Sequence, residues 1–230
     1  MSEYITGDLH RDVDRLRLLL EKVEMNQDDI VIILGDAGFN YYLDKRDDAL
    51  KQEAQDLNVT LFMIHGNHEQ RPYLIDTYQE KIWHNGIVYY QEAYPNLLFA
   101  KDGEIYEFNG KNYLVIGGGY SVDKQIRLLR NYPYFESELP TDEVKQFIWE
   151  KLEKINWQVH GIFTHVAPLT DEPTWAFLSG VDQSKVDKSL EIFLEKIKNK
   201  LTYQVWYAGH YHIDFISELR FLFYRVERLQ

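Results

Sequence analysis

Residues 59–69 read Val59-Thr60-Leu61-Phe62-Met63-Ile64-His65-Gly66-Asn67-His68-Glu69, an apolar run that breaks at a glycine and ends in polar side chains able to coordinate an ion. The same grammar recurs along the chain. Tyr4–Thr6 runs into Gly7-Asp8-Leu9-His10, and Ile30–Leu34 into Gly35-Asp36. Val159–Thr164 is followed by His165, and Tyr203–Ala208 by Gly209-His210-Tyr211-His212. Runs this short and this rich in Val, Ile, Phe and Tyr read as buried strands. Open α/β sheets place their ligands at the carboxyl ends of such strands. Five strand ends can therefore converge on one site.

Between the runs lie helical periods. Val13, Leu16, Leu20 and Val23 share a face, as do Leu50, Ala54 and Leu57. Val144, Ile148, Leu152 and Ile155 form a third stripe, and Val186, Leu190, Leu194, Ile197 and Leu201 a fourth. Thr141 reads as an N-cap with acids behind it, and Ser184 with Asp187 as a capping box. Tyr113–Ile116 is a further strand. Short strands are expected at Ile87–Tyr90, Leu97–Ala100 and Glu104–Phe108, with two more in the tail from Ile213 to Val226. Alternating strands and helices indicate an α/β or α+β sandwich. With no repeat and no Pro/Gly-rich linker, one domain over residues 1–230 is expected.

Composition narrows the function. The 230 residues include no cysteine, which excludes thiol catalysis, disulfides and cysteine-ligated metals. Lys and Arg total 25 against 37 Asp and Glu, a net charge of −12 that disfavours binding to nucleic acid. No signal peptide and no membrane-length apolar stretch is visible, so a cytoplasmic protein without membrane attachment is expected.

The ligand types are imidazole, carboxylate and amide, a set that suits Mn, Fe, Zn, Co or Ni better than Ca or Mg. Asp8 and His10 are separated by one residue, as are His210 and His212; on an extended strand end each pair would point the same way. Asp36, with two carboxylate oxygens, could bridge two ions. Asp-x-His alone is a weak signal, but Gly-Asn-His is expected only about 0.02 times by chance, and the ordered set is rarer still. Taken singly, each histidine is better read as a cap or a core residue, and each aspartate as a turn former.

The ordered set resembles the calcineurin-like metallophosphoesterase family, from Asp8 to His212, and its small stand-alone bacterial and phage-type members in particular. Gly117-Gly118-Gly119-Tyr120-Ser121-Val122-Asp123 and Thr164-His165-Val166-Ala167-Pro168 match further segments of those members. The resemblance implies a four-layer sandwich, two mixed β-sheets flanked by α-helices. It implies two divalent transition metal ions, manganese foremost with Fe, Zn, Co or Ni as alternatives. Asp8, His10, Asp36 and His212 would hold one ion, and Asp36, Asn67, His165 and His210 the other. His68 would face a phosphoester substrate, protonating the leaving oxygen or stabilising the transition state; with Asp36 and Asn67 it makes up the implied catalytic group. Hydrolysis of a phosphomonoester or phosphodiester by in-line attack of a metal-bridging hydroxide follows.

Departures matter. Where the family's Ser/Thr phosphatases carry Asp-Arg-Gly after Gly-Asp, this chain has Phe39, Asn40 and Tyr41. That weighs against a phosphoprotein phosphatase of that type, as the net charge weighs against a nuclease. A non-enzymatic metal-binding scaffold is the remaining alternative, although no ligand is missing. Arg11, Arg71 and Asn40 are carried as candidate substrate contacts. Arg71, Arg127 and Arg130 are candidate phosphate clamps, with solvation at the surface the preferred reading of each. His65 and His160 read as packed core residues and His84 as a loop residue. Gly117–Gly119 lacks the rest of a P-loop, so a tight backbone crossing is expected there rather than a phosphate cradle. Residues 37–47, 71–95 and 120–140 are expected to shape the pocket. Substrate and oligomeric state have no readable signature.

Overall fold

A computed structural model describes residues 2–229, so Met1 and Gln230, the ends of the expected domain span, lie outside the described residues. In chain order the elements are β1 (Glu3–Thr6), α1 (Val13–Lys22), β2 (Ile30–Ile33), α2 (Lys45–Gln55), β3 (Thr60–Met63), β4 (Gln79–Trp83), β5 (Gly86–Gln91), β6 (Tyr94–Ala100), β7 (Ile105–Phe108) and β8 (Lys111–Ile116). There follow α3 (Lys124–Arg130), α4 (Asp142–Lys154), β9 (Gly161–Thr164), α5 (Ser189–Lys198), β10 (Val205–Ala208), β11 (Phe215–Ile216), β12 (Arg220–Phe221) and β13 (Glu227–Arg228).

They form two mixed sheets with flanking helices. One is seven-stranded in the order β13-β1-β2-β3-β6-β5-β4, the other six-stranded in the order β11-β12-β10-β9-β8-β7. The chemistry-bearing strands are parallel within each sheet: β1, β2 and β3 in the first, β9 and β10 in the second.

Side-chain alternation explains why these strands read as unbroken apolar runs. In β2 and just after it, Ile30, Ile32 and Leu34 enter the core between the sheets, while Val31 and Ile33 pack against the layer of α1 and α2. In β8, Tyr113 and Val115 face the other sheet, while Leu114 and Ile116 face α4 and α5. A sheet covered on both faces needs apolar residues at every position.

Several sequence expectations are corrected. The Ser184–Asp187 capping box does not start the last long helix. Ser184 lies in a separate 3-10 turn capped by Asp182, and α5 begins at Ser189. The tail holds a third short strand, β13, which adds antiparallel to β1. β4 and α3 have no counterpart in the sequence reading; both lack a clean apolar stripe. Thr141 does cap α4, accepting from the Val144 N–H at 3.4 Å. Among the described residues, no helix is long and apolar enough to cross a membrane.

Candidate metal centre

The loops after β1, β2, β3, β9 and β10 meet at one end of the sandwich. Asp8, Asp36, Asn67 and His165 are buried there, with His10, His210 and His212 toward the rim. The side chains sort into two halves. In one, Asp8 Oδ2 lies 3.3 Å from His212 Nε2 and 3.6 Å from His10 Nε2, and the two imidazole nitrogens are 2.8 Å apart. In the other, Asn67 Oδ1 lies 2.9 Å from His165 Nε2 and 3.1 Å from His210 Nδ1. Asp36 stands between them, its Oδ2 3.8 Å from His10 Nε2 and 3.6 Å from His165 Nε2.

The expectation that each i, i+2 pair would point the same way holds only for Asp8 and His10. His210 and His212 diverge, one to each half. Their segment is no extended strand end: φ is +66° at His210 and +52° at His212, a left-handed turn. His10 and Asp36 also have positive φ, +47° and +46°. Such conformations are costly in non-glycine residues and cluster where a site over-determines its geometry.

Glycines make the convergence sterically feasible. At Gly35 φ is +100°, and a Cβ there would lie 2.1 Å from His165 Nδ1. A Cβ on Gly66 would come within 2.0 Å of Asp36 Oδ1 and 2.2 Å of the Asp36 backbone nitrogen. Gly66→Ala is accordingly expected to cost about 2–3 kcal/mol by overpacking and to displace Asp36. A melting temperature equal to that of the unaltered chain would show that the contact is slack.

Supporting hydrogen bonds set the donor atoms. His165 donates through Nδ1 to the Leu34 carbonyl at 2.7 Å, which leaves its Nε2 lone pair facing inward. Asn67 donates through Nδ2 to Ser121 Oγ at 3.0 Å, which turns its Oδ1 inward. Asp8 Oδ1 accepts from the His210 N–H at 2.9 Å, and Asp36 Oδ1 from the His68 N–H at 2.8 Å. In the sequence Ser121 is only one member of a motif; its position identifies it as the group that orients Asn67.

The electrostatics fit a cation. Burial alone would raise Asp8 and Asp36, yet the surrounding imidazoles hold both carboxyls below the usual range. Burial would likewise depress His165, but Asp36 and Asp8 reverse this and raise it to about 9. Asp8 Oδ2 is buried with no aligned hydrogen-bond partner, a costly state for a carboxylate unless a cation completes it. Carboxylates, inward-facing imidazole nitrogens and an amide oxygen suit borderline divalent ions, so the residues present fit a metal centre. Asp8, His10 and His212, and likewise Asp8, Asp36 and His165, bring donor atoms within 4.8 Å of one another.

His68 sits beside the cluster, grouped with His10 and Asp36. Its partner has no counterpart in the sequence reading. Arg127 of α3 is buried, and its Nη2 lies 2.5 Å from His68 Nδ1 and 3.1 Å from Nε2. Asp123 Oδ2 at 2.8 Å and the Pro133 carbonyl at 2.9 Å fix the guanidinium. Surface solvation is thus the wrong reading of Arg127; the i, i+4 spacing from Asp123 is the available signal.

The three candidate substrate contacts are committed elsewhere. Arg11 donates to the Gly38 carbonyl at 2.7 Å and to Asp47 at 2.5 Å. Arg71 is buried against Asp102 and donates to the Ser137 carbonyl at 2.6 Å. Asn40 is fully buried and accepts from the Tyr78 hydroxyl at 2.9 Å. The backbone N–H groups of Gly117, Gly118 and Gly119 go to Asp102, His65 and Glu138, which leaves no phosphate cradle there. His65 is buried as expected, whereas His160 is only half-buried and is no core residue. His84 lies in the turn between β4 and β5, its Nδ1 2.6 Å from the Glu107 carbonyl oxygen.

A two-sheet sandwich with aspartates, histidines and an asparagine converging on the ends of its parallel strands defines a metal-dependent phosphoesterase. The calcineurin-like phosphoesterase family model matches residues 2–214, and the chain belongs to that family. Among curated proteins, no sequence matches it. Among solved structures it is similar to TT1561 of Thermus thermophilus, at 13% identity and a TM-score of 0.47, over 91% of this chain and 82% of that one. It is also similar to the phosphopantetheinyl hydrolase of Mycobacterium tuberculosis, at 13% identity and a TM-score of 0.48, over 96% and 88% of the two chains. A third similar structure, AQ665 of Aquifex aeolicus, is a protein of unknown function, at 14% identity and a TM-score of 0.36, over 74% and 82%.

Proposed function

We propose that the chain is a dinuclear phosphoesterase, with Asp8, His10, Asp36 and His212 holding one divalent ion and Asp36, Asn67, His165 and His210 the other. The observation that carries this reading is the division of the cluster into two halves with Asp36 Oδ2 within 3.6–3.8 Å of an imidazole nitrogen from each. When bound, such a pair of ions supplies positive charge for the phosphoryl oxygens and acidifies the attacking water. The chain's own groups do the rest. Leu34 and Ser121 hold His165 and Asn67 in their donating orientations, and Arg127 holds His68 at the rim. Arg127 donates to the His68 ring, which favours a neutral imidazole with one N–H of its own to offer a substrate oxygen. Manganese is the foremost candidate ion, and the cytoplasm the proposed location.

The test combines composition with turnover. Gently purified protein is expected to carry more than one transition metal ion per chain. With Mn²⁺ it should hydrolyse a chromogenic phosphomonoester or phosphodiester, and chelation should bring turnover to background. Less than one ion per chain, with neither ester cleaved after Mn²⁺ is supplied, would favour a non-catalytic scaffold.

A further inference from the structure

A cleft of about 270 Å³ opens directly on the centre, lined on one side by Asn67, His68, His210 and His212. Its other wall is apolar: Val122, Phe177, Leu178, Val181, Val186 and Tyr211. The segment between β9 and α5 supplies most of this wall, with the Phe177 ring stacked 6.2 Å from Tyr211 at an interplanar angle of 13°. Polar side chains interrupt it, the exposed Gln183 among them. Lys188 is paired with Glu172 at 2.5 Å, so their charges cancel. Glu191, in the first turn of α5, is buried, lines the cleft, and has a carboxylate oxygen, Oε2, with no hydrogen-bond partner. Asp123 Oδ1 is a second buried acceptor without a partner in the lining, but its carboxylate already has its charge balanced by Arg127.

We propose that the phosphoester accepted by this centre carries an apolar organic group with a hydrogen-bond donor, an alcohol or amide N–H, that seats in this cleft and donates to Glu191. The inference rests on the phosphoesterase reading and adds the substrate class. Three observations meet in it. The cleft is continuous with His68 and the cluster, so a phosphoryl group at the centre directs its ester substituent into the cleft. The walls favour apolar area and leave room for about a ring with a few methylenes, since a cavity of ~150 Å³ admits benzene. Glu191 Oε2 is a buried acceptor, and leaving such an atom unpaired is costly, so a ligand that supplies the donor is selected over one that does not. Burial raises the Glu191 carboxyl to about 7. Lys188, the one Lys or Arg lining the cleft among the described residues, is paired with Glu172, so a further phosphate in the organic group would find no unpaired cation there.

Steady-state kinetics of the full chain loaded with Mn²⁺ test this on three sets of esters: n-alkyl phosphates from ethyl to octyl, their ω-hydroxyl counterparts, and glycerol phosphate as a polar reference. kcat/KM is expected to rise roughly threefold per methylene until the cleft is filled. At the length that reaches Glu191, the hydroxyl ester should exceed its alkyl counterpart by about tenfold. Leu178→Asp, at an exposed position on the lip, should flatten the dependence of kcat/KM on chain length. Glu191→Met should abolish the hydroxyl preference while kcat/KM still rises with chain length. Turnover of every ester at one rate, indifferent to both substitutions, would overturn the inference and leave the phosphoesterase reading standing. Metal-loaded protein that cleaves none of them would overturn the inference, and would remove the phosphoesterase reading as well if the chromogenic monoester and diester also stayed intact.

Discussion

Asp36→Asn is expected to lower kcat/KM by at least about 10³-fold and to weaken metal binding in both halves of the centre. The substitution keeps the shape of the side chain. Its oxygen can still accept from the His68 N–H, now at 2.8 Å. What changes is the charge at the other atom, Oδ2, which is 3.8 Å from His10 Nε2 and 3.6 Å from His165 Nε2. Burial opposes ionisation of Asp36, yet the imidazoles and hydrogen bonds around it hold its carboxyl well below the usual range, so the fold maintains a carboxylate at this point. Removing one member of a buried charge cluster typically costs ~3–5 kcal/mol, a loss of more than 10²-fold in affinity. Because Asp36 serves both halves, calorimetric titration with Mn²⁺ should show both affinities fall, unlike a substitution of His212 or Asn67, each of which touches one half. Two native affinities in the Asp36→Asn protein would dissolve the bridging role.

Legibility in the sequence follows burial and adjacency. The strands can be read because a four-layer sandwich buries both faces of each, which makes Ile30–Leu34 apolar without interruption. The converging residues can be read because each follows its strand within a few positions, often behind a glycine. Contacts made at long separation are not legible. Arg11 meets Asp47 36 residues away and Arg71 meets Asp102 31 residues away, so of two arginines that read as surface or substrate groups Arg71 is buried and Arg11 half-buried in an ion pair. α3 presents Lys124, Arg127 and Arg130 with no apolar stripe, which hides both the helix and the contact of Arg127 with His68. The wall from 172 to 191 escapes the sequence reading for a related reason. Its 3-10 turns, Thr174–Ala176 and Gln183–Lys185, have no period, and Glu191 carries no mark that sets it apart from the chain's other acids. The expected pocket-shaping stretch 71–95 instead contributes β4 and β5 to the edge of the first sheet, and only the start of 120–140 lines the cleft.

His68 separates two chemistries that the sequence leaves open, proton donation from an imidazolium and stabilisation by a neutral N–H. Burial pushes its imidazole down and Arg127 adds to the effect, together outweighing Asp36. Cations in the adjacent centre would act in the same direction. An imidazolium is therefore the disfavoured form at neutral pH, and the proposed role is that of a neutral ring that accepts from Arg127 and offers its own N–H to the phosphoryl or leaving oxygen. Losing one such donor typically costs 10²–10³-fold in kcat. His68→Ala is expected to fall in that range with its metal content unchanged, since Asn67 Oδ1 and Asp36 Oδ2 stay in place. His68→Gln, which keeps a neutral donor, should recover roughly tenfold of the loss. A general acid would behave otherwise: glutamine would be no better than alanine, and the fall in kcat toward high pH would vanish in both variants. The pH–rate profile of the unaltered protein, set against the two variants, discriminates. An unchanged kcat in His68→Ala would remove the residue from the mechanism altogether.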